Sequence, residues 1–162
     1  MEALLAQGHE VRCLVRDTGR LGWIAGLPSV AIAQGGMGDP RALREGMRGV
    51  DQVFHVAGLT RARTAREFFR VNTDGTRHLV HACLETPRGP RRLVHLSSLA
   101  VVGPMPISTA CAEDVSPSPV SPYGWSKLKG EAAVLAVRDR LHVIVLRPPV
   151  VYGSVQIGRA SC

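Results

Sequence analysis

Apolar residues fall along the chain in short runs separated by longer amphipathic stretches. VRCLV (11–15), PSVAIA (28–33), DQVFHVAG (51–58), RRLVHLSS (91–98) and LHVIVLRP (141–148) are runs of strand length, rich in valine and other strand formers. The pattern predicts a β-strand at each. Between them the spacing becomes helical. Asp39 followed by Pro40 is an N-cap next to the residue best suited to a first helical position, which predicts a helix over 40–48. From 66 to 85, Phe68, Val71, Leu79, Ala82 and Cys83 recur at helical spacing, and Ser121 caps a third helix over 122–138. Apolar strands alternating with helices imply right-handed crossovers and a parallel sheet covered on both faces. The predicted fold class is α/β, with a doubly wound parallel sheet.

With 162 residues, 45% of them hydrophobic and 20% charged, the chain is long enough for one domain with a core. It holds no apolar stretch of membrane-spanning length, and MEALLAQGHE lacks the basic and apolar regions of a secretion signal. A cytoplasmic protein is the expectation, with no membrane partner. Cys13, Cys83, Cys111 and Cys162 show neither CxxC nor zinc-like spacing, which suits reduced thiols and predicts no metal site.

The formal net charge of +7 raises the question of nucleic acid. The distribution argues against it. Of twenty basic residues only Lys127 and Lys129 are lysines, the arginines are spread out, and aromatics at 4% provide no stacking series. Arg88, Arg91 and Arg92 lie in TPRGPRR, where proline and glycine mark a solvated turn. Arg61, Arg63, Arg66 and Arg70 leave open a grip on an anionic substrate.

The residues with the clearest chemical reach are Tyr123 and Lys127, in SPYGWSKLKGE (121–131). Four positions make just over one helical turn, so phenol and ammonium share a face. A cation beside a phenol favours the phenolate and brings a group that ordinarily titrates near ~10 toward neutral pH. The spacing alone is common, and it also suits a solvated face of an amphipathic helix. Ser97 and Ser98 end a strand, where open α/β sheets carry their sites. A hydroxyl there either bonds a substrate oxygen or satisfies local backbone. Asn72, within the second helix, reads alone as one polar residue among others. His78, His81 and Glu85 share a helical face like metal ligands, but nothing else at metal-site spacing supports them, and solvated side chains are the better reading.

Seven segments, in order, carry a family likeness: QGHEVRCLVRD (7–17), GDP (38–40), VFHVAG (53–58), FFRVNTDGT (68–76), LVHLSSLAVVG (93–103), YGWSK (123–127) and LRPPVVYG (146–153). Over residues 1 to 153 the chain resembles the extended short-chain dehydrogenase/reductases, the NAD-dependent epimerase/dehydratase family. The resemblance implies a Rossmann-type fold in which Tyr123 is the general acid/base and Lys127 also holds the nicotinamide ribose. It further implies that Ser98, rather than Ser97, meets the substrate oxygen, and that Asn72 supports the lysine and the cofactor. By the same resemblance Asp39 approaches the adenine, Ala57 and Gly58 let the backbone come close to the cofactor, and Pro148 to Val151 flank the nicotinamide. NAD-preferring members carry an acidic residue at the end of the second strand; here Val15 is followed by Arg16. An arginine suits a 2′-phosphate, so the lean within NAD(P) is to NADP(H), unless Arg16 pairs with its neighbour Asp17.

The implied activity is hydride transfer on a hydroxyl or carbonyl of a small molecule such as a nucleotide sugar, by a full-length protein that is a homodimer. Two alternatives stand beside it. The opening VRCLVRD also resembles reductases of the dihydroflavonol and hydroxysteroid type, and a dinucleotide-sensing protein would keep the fold without turnover. Tyr123 and Lys127 disfavour the sensor, which needs no proton donor.

Two departures from the pattern remain. Glu2 to Gln7 reads as the tail of a helix, where the family begins with a strand and a glycine-rich turn that cradles the pyrophosphate. The expectation is a partial domain over 1–153 that lacks the first strand, has a gap between VRCLV and VFHVA, and is inactive by itself. QIGRASC (156–162) continues no family pattern and matches a reading frame of a sequencing adapter, so 154–162 is expected to be a non-native or disordered tail.

Overall fold

Strand and helix alternate as the apolar pattern requires. The computed structural model describes residues 1–105 and 111–149. After α1 (Glu2–Ala6), β1 (Val11–Val15) pairs parallel with β2 (Val30–Gln34). Then follow α2 (Pro40–Met47), β3 (Gln52–His55), α3 (Ala65–Phe68), α4 (Gly75–Glu85), β4 (Arg92–Leu96), α5 (Pro122–Leu135) and β5 (His142–Leu146). β4 lies between β3 and β5, all parallel. Among the described residues β1 and β3 do not pair, so the strands form two sheets, β1-β2 and β3-β4-β5. That is where the gap was expected.

The helix starts follow from their caps. Asp39 accepts from the amides of Arg41 (3.1 Å) and Ala42 (3.0 Å), with Pro40 beside it. Ser121 Oγ accepts from Gly124 N–H at 3.1 Å and opens α5. Thr64 caps α3, and Glu67 reaches back to the Arg63 amide at 2.9 Å. The helical stretch predicted over 66–85 is interrupted by a π-helical turn, Phe69–Asp74, between α3 and α4.

Leu43 and Met47 of α2, Leu79 and Cys83 of α4, Val134 of α5 and Leu93 of β4 form the core. The side chains of the three-stranded sheet divide between two faces. Leu93 and His95 point into the helix layer, whereas Phe54 (49% exposed), Leu146 (47%) and Ile144 (37%) alternate to the other face and are not covered by other described residues. α2, α4 and α5 pack together with one another on the covered side. No helix among the described residues is long and apolar enough to cross a membrane.

Candidate active site

Parallel strands deliver their carboxyl ends to one edge, and most of the residues picked out from the sequence lie there: Arg16 after β1, Gly58 after β3, Ser97 and Ser98 after β4, Pro148 after β5. α5 brings Tyr123 and Lys127 to the same place. These two, with Val56, Gly58, Leu59, Thr60, Leu96 and Ser97, line a cleft of about 80 Å³. Tyr123 is half-buried, its ring edge-on to Phe68 at 5.8 Å between centroids. Lys127 is buried, and its Nζ donates to Leu96 O at 2.6 Å. A larger hollow of about 320 Å³ lies between α2 and the end of α4, far from this chemistry, and its Arg41 and Arg44 already pair with Glu45 and Glu85.

Asn72 is structural as well as central. Its Oδ1 accepts from Leu59 N–H at 2.7 Å, while Nδ2 donates to Leu59 O (2.9 Å) and to Ser126 Oγ (3.0 Å). Ser126 Oγ in turn donates to Tyr123 O at 2.7 Å, and Thr73 Oγ1 donates to Ser126 O at 2.9 Å. The π turn thereby anchors both the loop after β3 and the helix of the Tyr-Lys pair, and such turns are frequent at functional sites. The close approach depends on Gly130, where a Cβ would sit 2.7 Å from Asn72 O.

Beneath the cleft, His55 and His95 face each other in register on β3 and β4, their ring centroids 5.0 Å apart. His55 Nε2 is 2.8 Å from Thr76 Oγ1. Burial pushes His55 down to about 4, with the Lys127 charge adding to it; burial, then the neighbouring His55 and Lys127, push His95 down to about 3. Both imidazoles are therefore neutral near pH 7. Burial also brings Lys127 down to about 8, against the pull of Glu131. Glu131, 1% exposed, receives Arg147 in a forked pair, Nη2–Oε2 2.7 Å and Nε–Oε1 3.0 Å.

The serines differ. Ser97 lines the cleft, and its Oγ is buried with no hydrogen-bond partner among the described residues. Ser98 Oγ accepts from Ala100 N–H at 3.2 Å, a contact that leaves its own hydrogen free to donate. Asp39 is committed to its cap through Oδ1. The alternative pairing of Arg16 with Asp17 is not found: Asp17 accepts from Gly19 N–H and lies 4.0 Å from Arg20, because it caps the turn that follows. Arg16 is exposed, with its stem alongside Gly36. Pro148 O accepts from Leu99 N–H at 2.9 Å, while Val151 lies outside the described residues.

His78, His81 and Glu85 do not converge: His78 Nδ1 contacts Met37 O at 3.0 Å, Glu85 pairs with Arg44, and His81 is exposed. No group of three or more potential metal ligands occurs among the described residues. The chemistry of Gly58, Tyr123 and Lys127 suits the nicotinamide-ribose end of a dinucleotide. At Gly58 a Cβ would stand 3.1 Å from Asn72 Oδ1 and 3.7 Å from Lys127 Nζ, so a side chain there would crowd the asparagine and narrow the approach to the ammonium. Ser126, Glu131, Arg147, His55 and His95 were not singled out in the sequence, because nothing local marks them.

A parallel α/β layer with a Tyr-Lys pair on the helix before β5 defines a Rossmann-type short-chain dehydrogenase/reductase domain. The family model for the NAD dependent epimerase/dehydratase family matches residues 1–160, and the chain belongs to that family. Sterol demethylase protein B of Methylococcus capsulatus is 34% identical over 160 residues, 94% of this chain and 47% of that protein. A dTDP-6-deoxy-L-talose 4-dehydrogenase (NAD(P)(+)) of Kitasatospora kifunensis is 31% identical over 159 residues, 97% of this chain and 49% of that protein. A short-chain dehydrogenase/reductase superfamily protein of Agrobacterium tumefaciens, solved with bound NAD, superposes with a TM-score of 0.75 at 30% identity, covering 90% of this chain and 43% of that one. The chain thus spans under half the length of these relatives.

Proposed function

We propose that the protein of which this chain carries the site is an NAD(P)-dependent oxidoreductase that interconverts a secondary alcohol and a ketone. The observation that carries the reading is the placement of Tyr123 and a buried Lys127 on one face of α5, in a cleft whose floor is opened by Gly58. A bound nicotinamide supplies or accepts the hydride. Tyr123 gives its phenolic proton to the carbonyl oxygen in reduction and takes the hydroxyl proton in oxidation. Ser98 donates its free hydrogen to the same oxygen as charge develops on it. Lys127 orients the ribose, and its charge holds the phenolate once the proton has left. Arg16, exposed and not paired with Asp17, supports the lean to NADP(H).

The apolar part of the cleft lining, Val56, Leu59 and Leu96, favours a substrate whose reacting carbon sits on a hydrophobic skeleton, in line with the sterol named for one relative. A second reading, a nucleotide sugar, is favoured by Arg61, Arg63, Arg66 and Arg70. All four are exposed and make no ion pair among the described residues, and the talose dehydrogenase relative acts on such a sugar by name. Turnover of the full-length protein with hydroxysterols and with dTDP- and UDP-sugars, followed by nicotinamide absorbance, tests both. Cofactor-dependent oxidation of a hydroxysterol is the expected result. Activity on the sugars alone selects the second reading, and tight cofactor binding with no turnover on either class selects a sensor.

A further inference from the structure

We propose that Glu131 and Arg147 are positioning residues that set Ser98 and Pro148 against Tyr123 and Lys127; the inference rests on the oxidoreductase reading of this site. Arg147 stands between Leu146 and Pro148. Leu146 O accepts from Ser97 N–H at 2.7 Å and Pro148 O from Leu99 N–H at 2.9 Å, so the two residues that flank Ser98 are clasped by the two that flank Arg147. The Arg147 side chain turns to α5 and meets both oxygens of Glu131. Glu131 follows Lys127 by one helical turn and Tyr123 by two, on the same face. One forked contact therefore joins the backbone on either side of Ser98, the segment that carries Pro148 and the helix of the proton-transferring pair.

Energetics point to geometry as the role of this pair. A buried ion pair contributes little net stability over an apolar pair of similar volume, because desolvation offsets the attraction. A planar fork, unlike apolar packing, fixes both distance and orientation. Glu131 also acts electrostatically on Lys127, which is faced by His55 from β3, His95 from β4, Tyr123 and Glu131 from its own helix, and the uncharged Asn72 from the π turn. The carboxylate of Glu131 favours the protonated lysine; its removal drives Lys127 further down from about 8.

The test uses the full-length enzyme and three variants: Glu131→Gln, Arg147→Lys and the double variant Glu131→Met with Arg147→Met. Each is expected to lower kcat on the order of 10²-fold, the scale of a misplacement near 1 Å. In Glu131→Gln the alkaline limb of the kcat profile moves to lower pH. The double variant regains the wild-type Tm without regaining kcat. A double variant with wild-type kcat, or a Glu131→Gln limb that stays in place, overturns the proposal. Tyr123→Phe separates the two levels: if it turns over like wild type, the oxidoreductase reading itself has failed, whereas an inactive Tyr123→Phe beside an active methionine pair defeats only the positioning role.

Discussion

Asn72 Nδ2 donates to Ser126 Oγ at 3.0 Å across 54 positions of sequence, and that bond joins the π turn to the helix of Tyr123 and Lys127. Ser126 passes the constraint on to Tyr123 through its carbonyl oxygen. The asparagine amide is spent on Leu59 and Ser126, and it ties a loop and a helix together at a fixed separation.

Asn72→Ala should accordingly act on stability and turnover together. It leaves the amide of Leu59 without its partner in a part-buried place, at a cost of about 1–3 kcal/mol. Thermal unfolding of the full-length variant should show a lowered Tm, and kcat should fall with it. An unchanged Tm would show that water or a shifted loop replaces the amide.

Tyr123→Phe should keep the edge contact with Phe68 and the shape of the cleft while removing the proton carrier. Turnover is expected to fall by roughly 10²–10⁴-fold with cofactor affinity retained. Steady-state rates beside a cofactor titration check this, and wild-type turnover would take Tyr123 out of the chemistry.

The order of elements was readable because each strand is a short apolar run and each helix carries a cap, as Asp39 and Ser121 show. The Thr64-to-Glu67 spacing also announces a helix start, one residue before the predicted one, and was available in the sequence. The π turn was not legible, since its reason lies in partners distant along the chain, Leu59 and Ser126. The same holds for Glu131 with Arg147, 16 positions apart and on different elements.

Arg16→Ala tests cofactor choice. The guanidinium is exposed after β1, and Asp17 is turned toward Gly19 and Arg20. If Arg16 meets a 2′-phosphate, its loss should weaken NADP(H) more than NAD(H) by about 1.5–3 kcal/mol, roughly tenfold or more in Kd. Equal losses, read by titration with both cofactors, would leave Arg16 as a surface residue.

The buried histidines predict an acid-sensitive fold. His55 falls to about 4 and His95 to about 3, below the unfolded value of 6.5, so the unfolded chain binds more protons between those limits. Stability is then fully present above about 6.5 and is lost as pH falls toward 4 and below. His95→Leu removes two buried nitrogens that have no partners among the described residues, and it should flatten the fall of Tm between pH 7 and 4. A variant that melts with the wild-type pH dependence would assign the acid sensitivity to other groups.

Residues 1–162 produced alone should behave differently from the full-length protein. Among the described residues β1 and β3 each have a side unpaired where the two sheets part, and Phe54, Ile144 and Leu146 are exposed. Unpaired strand edges beside exposed apolar side chains recruit other chains, so aggregation or a loosely packed state is expected. The proposed cofactor contacts are divided by the same separation, since Arg16 follows a strand of one sheet and Gly58, Ser98 and Pro148 follow strands of the other. Neither NAD(H) nor NADP(H) should bind measurably to this segment. Titration calorimetry with each cofactor and a thermal melt decide the matter: a cooperative transition with micromolar binding would show that the two sheets hold a complete site between them.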